Sequence, residues 1–96
     1  MHVVVNHLRL RDPVTDATLS LFSDGVRIAV DAGALSARIA KVDERHVVLI
    51  LDFPSAEEAD RVARGAGGAW MREHIRPLLA GDTDRSLGEV VAAAEA

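Results

Sequence analysis

The order of the periodic segments constrains the fold of this chain more than any other feature. Alternating and helical patterns follow one another as strand, long helix, strand, tight turn, strand, helix and strand within 96 residues. Right-handed crossovers in that order place both helices on one face of a four-stranded antiparallel sheet. The opposite face of the sheet is then left uncovered.

The first strand carries a polar residue in an apolar row. Residues Val3 to Arg11 alternate with the period of a strand, and Asn6 lies on the same side as its apolar neighbours. Those neighbours are Val4, Leu8 and Leu10. Burying an unpaired carboxamide costs about 1 to 3 kcal/mol, so Asn6 needs either a structural partner in a neighbouring loop or a ligand in a pocket.

A long helix is predicted after the first strand. Asp12 is a suitable N-cap, Pro13 is favoured at the first helical position, and Gly33 is a natural C-terminal stop. The polar stripe runs through Gly25 without a change of phase, which indicates one helix rather than two.

The third strand points to self-association. Ala34 to Val42 and His46 to Phe53 are predicted as strands joined by a turn at Asp43 and Glu44. Both rows of the second of these strands are apolar, with Val47, Leu49, Leu51 and Phe53 on one side and Val48 and Ile50 on the other. Since helices cover only one face, we expect a second copy of the chain to cover the other, giving a homodimer through the sheet face.

The remaining segments complete the layout. Ser55 to Glu58 has the pattern of a capping box opening a helix, and the run Gly65 to Gly68 is predicted as a turn that ends it. A further helical segment from Ala69 to Arg76 stops at Pro77, and Arg85 to Ala94 is predicted as the last strand. We therefore expect an α+β fold of the ferredoxin-like, split β-α-β class, as a single domain over residues 1–96.

Composition excludes several classes of function. The net charge is −4 with acids and bases mixed along the chain, so nucleic acid is not an expected partner. No apolar run reaches the ~20 residues of a membrane span, and the first residues do not resemble a signal peptide, so we expect no membrane partner and a cytoplasmic location. There is no cysteine, and the four histidines lack the spacing of a metal site.

Besides Asn6, the candidate site residues lie on a late helical segment and on the second strand. Trp70 and His74 are four residues apart and share a helix face, with Met71 on the adjoining apolar ridge. Trp70 and His74 either form a cavity wall together, or Trp70 is an ordinary core residue and His74 a partly exposed neighbour. Arg38, on the second strand, is a candidate for binding an anionic substrate, although arginines on strands are usually surface residues.

Four short motifs resemble the antibiotic biosynthesis monooxygenase family, which belongs to the dimeric α+β barrel superfamily. They are Asn6, the pair Ala32-Gly33, the stretch Asp-Phe-x-Ser-x-Glu-Glu at 52–58 and the run Trp-Met-Arg-Glu-His at 70–74. The resemblance implies two sheets facing each other across a dimer, and a ligand cleft between sheet and helices in each subunit. The family includes cofactor-independent oxygenases of anthrones and quinols, haem-degrading oxygenases and proteins of unknown role.

The resemblance to the haem-degrading branch is incomplete. That branch has an Asn on the first strand, a Trp on the second helix and a haem-ligating His ten residues after the Trp. Asn6 and His74 match two of these positions, but Arg64 stands where the Trp is expected. Haem degradation is therefore not the expected activity.

The resemblance implies a monooxygenase that acts on an aromatic or polycyclic molecule without a bound metal or flavin. His74 would be the base, Asn6 the oxyanion donor and Trp70 a stacking wall, with Met71 and Arg38 also contacting the substrate. The alternative is a non-catalytic dimer that binds an apolar small molecule or is purely structural. A cavity of ~300 Å³ or more lined by Asn6, Trp70 and His74 together would favour the enzyme.

Overall fold

The computed structural model describes all 96 residues and contains four strands and three α-helices. In chain order the elements are β1 (His2–Arg9), α1 (Asp16–Ala32), β2 (Ser36–Asp43), β3 (His46–Phe53), α2 (Ala56–Arg64), α3 (Ala66–His74), a short 3₁₀ helix (Arg76–Leu78) and β4 (Asp84–Glu89). No helix is long and apolar enough to cross a membrane.

The sheet has the strand order β2-β3-β1-β4, and all neighbouring strands are antiparallel. This order places the first and third strands at the centre, as a split β-α-β layout requires. The α+β fold class predicted from the sequence is therefore confirmed.

The two sides of the central strands differ as their alternation predicts. The side that faces the helices is called the inner face, and on β1 and β3 it carries buried residues: Val4, Asn6, Leu8, Val47, Leu49 and Phe53. The other side is called the outer face, and its residues on these strands are half-buried: Val5, His7, Val48 and Ile50. No helix lies over the outer face.

The apolar core divides into two clusters along β1. One contains Leu8 and Phe22 of α1, together with Ile75 beyond α3. The other contains Val4 and Val62 of α2. Asn6 lies between Val4 and Leu8 on the inner face, so the division of the core coincides with the one polar side chain among its buried residues.

Helix α1 begins later than the sequence predicts. Thr15 is the N-cap, and it forms a reciprocal capping box with Thr18. The expected N-cap at Asp12 is wrong because residues 11–14 follow another path: the Val14 N–H donates to the Glu44 carbonyl at 2.7 Å. The single helix through Gly25 is confirmed, and so is its end at Gly33, whose φ of 136° suits glycine.

The glycine run is mostly helical rather than a turn. Only Gly65 separates α2 from α3, and Gly67 and Gly68 lie within α3. A Cβ added to Gly68 would overlap the carbonyl oxygen of Ala63, so glycine lets the start of α3 approach the end of α2. The sequence pattern missed this close approach because composition alone does not distinguish a turn glycine from a packing glycine.

Two other elements differ from the sequence prediction. The N-cap Ser55 accepts from the Glu58 N–H, but the Glu58 side chain pairs with Arg61 instead of completing a capping box. The last strand spans Asp84–Glu89 rather than 85–94, and each of its residues is exposed because β4 is an edge strand paired only with β1.

Candidate functional site

A cavity of about 230 Å³ lies between the inner face of the sheet and the helices. Sixteen of its 24 lining residues are hydrophobic, and they come from both core clusters. An engineered apolar cavity of ~150 Å³ binds benzene, so this space accommodates a larger aromatic group. It is nevertheless smaller than the ~300 Å³ expected of a typical ligand pocket.

Asn6 is the buried polar group of this cavity. Its side chain is on the inner face of β1, only 7% of the residue is exposed, and its Oδ1 has no hydrogen-bond partner. The alternative role of Asn6, a structural carboxamide bonded to a neighbouring loop, is therefore not observed. Leaving such an atom unpaired costs about 1 to 3 kcal/mol, a cost that a ligand hydroxyl in the cavity would remove.

Trp70 and Met71 line the cavity from α3. The indole lies across Gly25 of α1, where an added Cβ would come within 2.8 Å of a ring carbon. Glycine at position 25 therefore allows the indole to reach the cavity wall, although it lowers the intrinsic stability of the helix by about 1 kcal/mol. Trp70 is half-buried and presents an aromatic surface against which a planar ligand can stack.

His74 does not line the cavity. Its ring packs against Trp70 in a tilted arrangement, with the centroids 5.0 Å apart and the planes at 38°, and its side chain is 41% exposed. Its Nε2 lies 3.8 Å from a carboxylate oxygen of Glu73. The condition that would have favoured the enzyme, a cavity of ~300 Å³ or more lined by Asn6, Trp70 and His74 together, is therefore not met. Asn6 and Trp70 share a cavity of about 230 Å³, and His74 lies outside it.

Arg38 is also remote from the cavity. It pairs with Ile50 across β2 and β3 and so lies on the outer face of the sheet. The outer face also carries a hydrogen-bonded histidine pair, in which His7 Nδ1 and His46 Nε2 are 3.0 Å apart. Any ligand inside the cavity is separated from these three residues by the sheet.

Three arginines that sequence reasoning did not select line the cavity instead. They are Arg72 of α3, Arg76 of the 3₁₀ helix and Arg85 of β4. Arg85 is the cross-strand partner of Asn6, so the two lie on the same face of adjacent strands. The signal that would have found Arg85 is the register between β1 and β4, which follows from the position of the edge strand and not from any local motif.

The residues do not fit a haem site. Arg64, at the position where the haem-degrading branch has Trp, is exposed and forms an ion pair with Asp60 at 2.8 Å. No histidine lines the cavity to ligate iron. No group of three or more His, Cys, Asp or Glu side chains is placed to hold a metal ion either.

Comparison with solved structures finds the same fold in several proteins. A protein of unknown function from Nitrosomonas europaea, NE2512, is similar over 99% of this chain and 93% of its own, with a TM-score of 0.82 and 13% identity. SnoaB, a cofactor-independent oxygenase from Streptomyces nogalater, is similar over 96% and 94%, with a TM-score of 0.80 and 13% identity. The ActVA-Orf6 monooxygenase of Streptomyces coelicolor, solved with nanaomycin D, is similar over 99% and 92%, with a TM-score of 0.74 and 20% identity.

The likeness is one of fold. No protein-family model matches the sequence, and neither does any curated protein. Because the identities are 20% or less, these solved structures show the fold of this chain but not its chemistry. The resemblance stated from the sequence is confirmed at this level: the chain has the fold of the antibiotic biosynthesis monooxygenase-like proteins.

Proposed function

We propose that this protein is a monooxygenase that oxidises an anthrone-like or quinol-like aromatic molecule with O₂ and without a bound metal or flavin. The observation that carries the proposal is Asn6, a buried carboxamide with an unpaired oxygen in an apolar cavity beside Trp70. A fold shared with a cofactor-independent oxygenase and a second monooxygenase supports it.

The reaction needs no electron carrier because the substrate itself reduces O₂. Loss of a proton from the CH₂ group of an anthrone gives an enolate, which transfers one electron to O₂ and then combines with the superoxide formed. The resulting peroxide loses water, so that CH₂ and O₂ become C=O and H₂O. What the protein must supply is stabilisation of the enolate oxygen and exclusion of bulk water.

Asn6 and Arg85 are placed to stabilise that oxygen. They are Cα partners on β1 and β4, both line the cavity, and they present an amide and a guanidinium on the same face. A carboxamide offers an acceptor to a neutral hydroxyl and a donor to the enolate, and a guanidinium favours the charged form. Trp70 provides the stacking surface.

The cavity contains no general base. Its charged lining residues are all arginines, and His74 lies behind Trp70 on the solvent side. We therefore assign ionisation of the substrate to the positive potential of the cavity, which lowers the pKa of an acidic ligand, with the proton leaving to solvent. In this mechanism His74 does not contact the reacting atoms.

The outer face supports the second part of the proposal, a homodimer. Val5, Val48 and Ile50 form an apolar centre on that face, which no helix covers. Monomeric proteins rarely expose such an apolar patch to solvent at the centre of a sheet. A second copy stacked on this face would bury it and enclose the His7–His46 pair.

Product analysis under ¹⁸O₂ tests the proposed reaction. The protein is incubated with a panel of anthrones and quinols, and the products are examined by mass spectrometry. We expect one labelled oxygen atom per molecule of quinone formed and the other in water. Label-free product, or oxidation no faster than in buffer for every compound, would refute the enzyme.

The absence of a carboxylate or histidine from the cavity lining specifically favours one other function, a non-catalytic ligand-binding protein. Such a protein would bind the same aromatic compounds without accelerating oxygen uptake. Binding detected by quenching of Trp70, with oxygen consumption at the background rate, would establish this second function.

A further inference from the structure

The cavity has a chemically distinct mouth. Among its 24 lining residues only four are exposed, and these are Arg72, Arg76, Thr83 and Arg85. The others are buried or half-buried. The opening of the cavity to solvent is therefore bordered by three guanidinium groups and one hydroxyl.

These arginines have no acidic partners. The ion pairs of the chain involve Arg61, Arg64 and His74, and no carboxylate lies within ion-pair distance of the three at the mouth. No Asp or Glu lines the cavity, although acids outnumber bases 15 to 11 in the sequence. Asp82 borders a second, polar depression, which it shares with Arg76 and Thr83, but it forms no ion pair with Arg76.

The mouth and the buried amide lie in the same cavity. Asn6, with its unpaired Oδ1, belongs to the closed, apolar part, whereas Arg72 and Arg76 belong to the exposed border. A ligand that fills the cavity thus meets a polar group inside and a pair of guanidinium groups at its outer end. Arg72 lies in the last turn of α3, Arg76 begins the 3₁₀ helix that follows, and both line the cavity.

We infer that the ligand carries an anionic group, a carboxylate, at the end that remains at the mouth, where Arg72 and Arg76 bind it. This inference rests on one part of the proposed function, namely that the cavity binds an aromatic ligand. A planar guanidinium matches a carboxylate through two parallel hydrogen bonds, and the apolar walls nearby weaken the competition from water. Arg72 and Arg76 thereby select acids over neutral ring systems and fix which end of the ligand reaches Asn6.

A matched pair of ligands tests the inference. Anthraquinone-2-carboxylate and anthraquinone-2-carboxamide have almost the same shape and differ in charge. Trp70 is the only tryptophan of the chain and lines the cavity, so quenching of its fluorescence reports binding at this site. We expect the carboxylate to bind about tenfold more tightly, the size of one charge-assisted hydrogen bond, and this preference to shrink as salt is added.

Substitution of the two arginines locates the effect. In the double variant Arg72→Gln/Arg76→Gln we expect the two compounds to bind within about threefold of each other, because the loss of affinity falls mainly on the carboxylate. Arg27→Gln removes an exposed arginine of α1 that does not line the cavity, and it should keep the full preference.

The outcomes separate this inference from the proposed function. Equal binding of the two compounds by the unmodified protein, or a double variant that keeps the preference, would overturn the carboxylate site and leave the cavity as a ligand site. If neither compound quenches Trp70, both the carboxylate site and the proposed function are wrong.

Discussion

The inner and outer faces of the sheet are built from the same alternating strands but have different surroundings. On β3, Val47 and Leu49 are buried beneath the helices, whereas Val48 and Ile50 are half-buried because nothing in the chain covers them. The inner face is covered but incompletely filled, since a cavity of about 230 Å³ remains around Asn6. The outer face has an apolar centre at Val5, Val48 and Ile50, and nothing in the chain covers it.

This difference shows how one periodic pattern produces two kinds of site. A covered face can leave an apolar space, where an unpaired amide and an indole meet a ligand. An uncovered apolar face has no such space and gains most from association with another surface. We therefore assign ligand binding to the inner face and self-association to the outer face.

The largest expected effect comes from placing a charge on each face in turn. Leu49→Asp puts an unpaired carboxylate among buried residues and should lower the free energy of unfolding by about 3 to 5 kcal/mol. Val48→Asp, one residue earlier, should instead convert a dimer into a folded monomer. Circular dichroism reports the first effect and sedimentation velocity the second.

Either of two results would contradict these different roles of the two faces. An unmodified protein that sediments as a monomer at micromolar concentration would remove the role assigned to the outer face. A Val48→Asp variant that unfolds as completely as Leu49→Asp would show that the two faces contribute in the same way.

A smaller effect is expected at the polar residue of the inner face. Asn6→Leu keeps the branched shape of the side chain, places its larger methyl groups in the cavity and removes the unpaired Oδ1, so it should raise the free energy of unfolding by about 1 to 3 kcal/mol. That corresponds to roughly 4 to 8 °C in Tm for each kcal/mol. Thermal unfolding measured by calorimetry checks the prediction. A lower Tm than that of the unmodified protein would mean that Asn6 is a satisfied structural residue.

The smallest expected effect concerns the helices that cover the inner face. Arg61 of α2 donates to the Ala32 carbonyl at the end of α1 at 2.9 Å and also pairs with Glu58. The hydrogen bond from Arg61 holds the pKa of Glu58 below its ordinary value of 4.5, and the charge of Arg61 adds to this. A lowered pKa stabilises the folded state above the ordinary value, and this contribution is lost as the pH falls through the folded-state pKa.

Glu58→Gln should therefore lower the Tm slightly near neutral pH, and the difference from the unmodified protein should vanish in acid. Glu57→Gln is the matched control, because Glu57 is exposed and forms no ion pair. A difference in Tm that persists or grows at the lowest pH would contradict the assigned role of the pair.

Local pattern predicted most of the fold. The span of β3 from His46 to Phe53 and the division of its residues between two faces agree with the structure, because alternation is a property of neighbouring residues. The start of α1 and the bounds of β4 were not predictable in the same way. The Val14–Glu44 hydrogen bond and the edge position of β4 depend on distant parts of the chain.

The same distinction applies to the candidate site. Asn6 and Trp70 were found because an amide in an apolar row and a lone tryptophan on a helix are local anomalies. Helical spacing correctly placed His74 beside Trp70, but it did not determine which of the two rings faces the cavity. Arg85 carries no local signal, since its place beside Asn6 is set by strand register.

The most direct test of the assignment of the inner face is the rate of oxygen uptake with 1,8-dihydroxyanthrone, corrected for oxidation in buffer. Asn6→Leu is compared with the unmodified protein at a temperature at which both are folded. Loss of an oxyanion donor costs about 10²- to 10³-fold in rate, so we predict a decrease of that size in a variant whose Tm is raised. An unmodified protein no faster than buffer, or an Asn6→Leu variant as fast as the unmodified protein, would contradict the account.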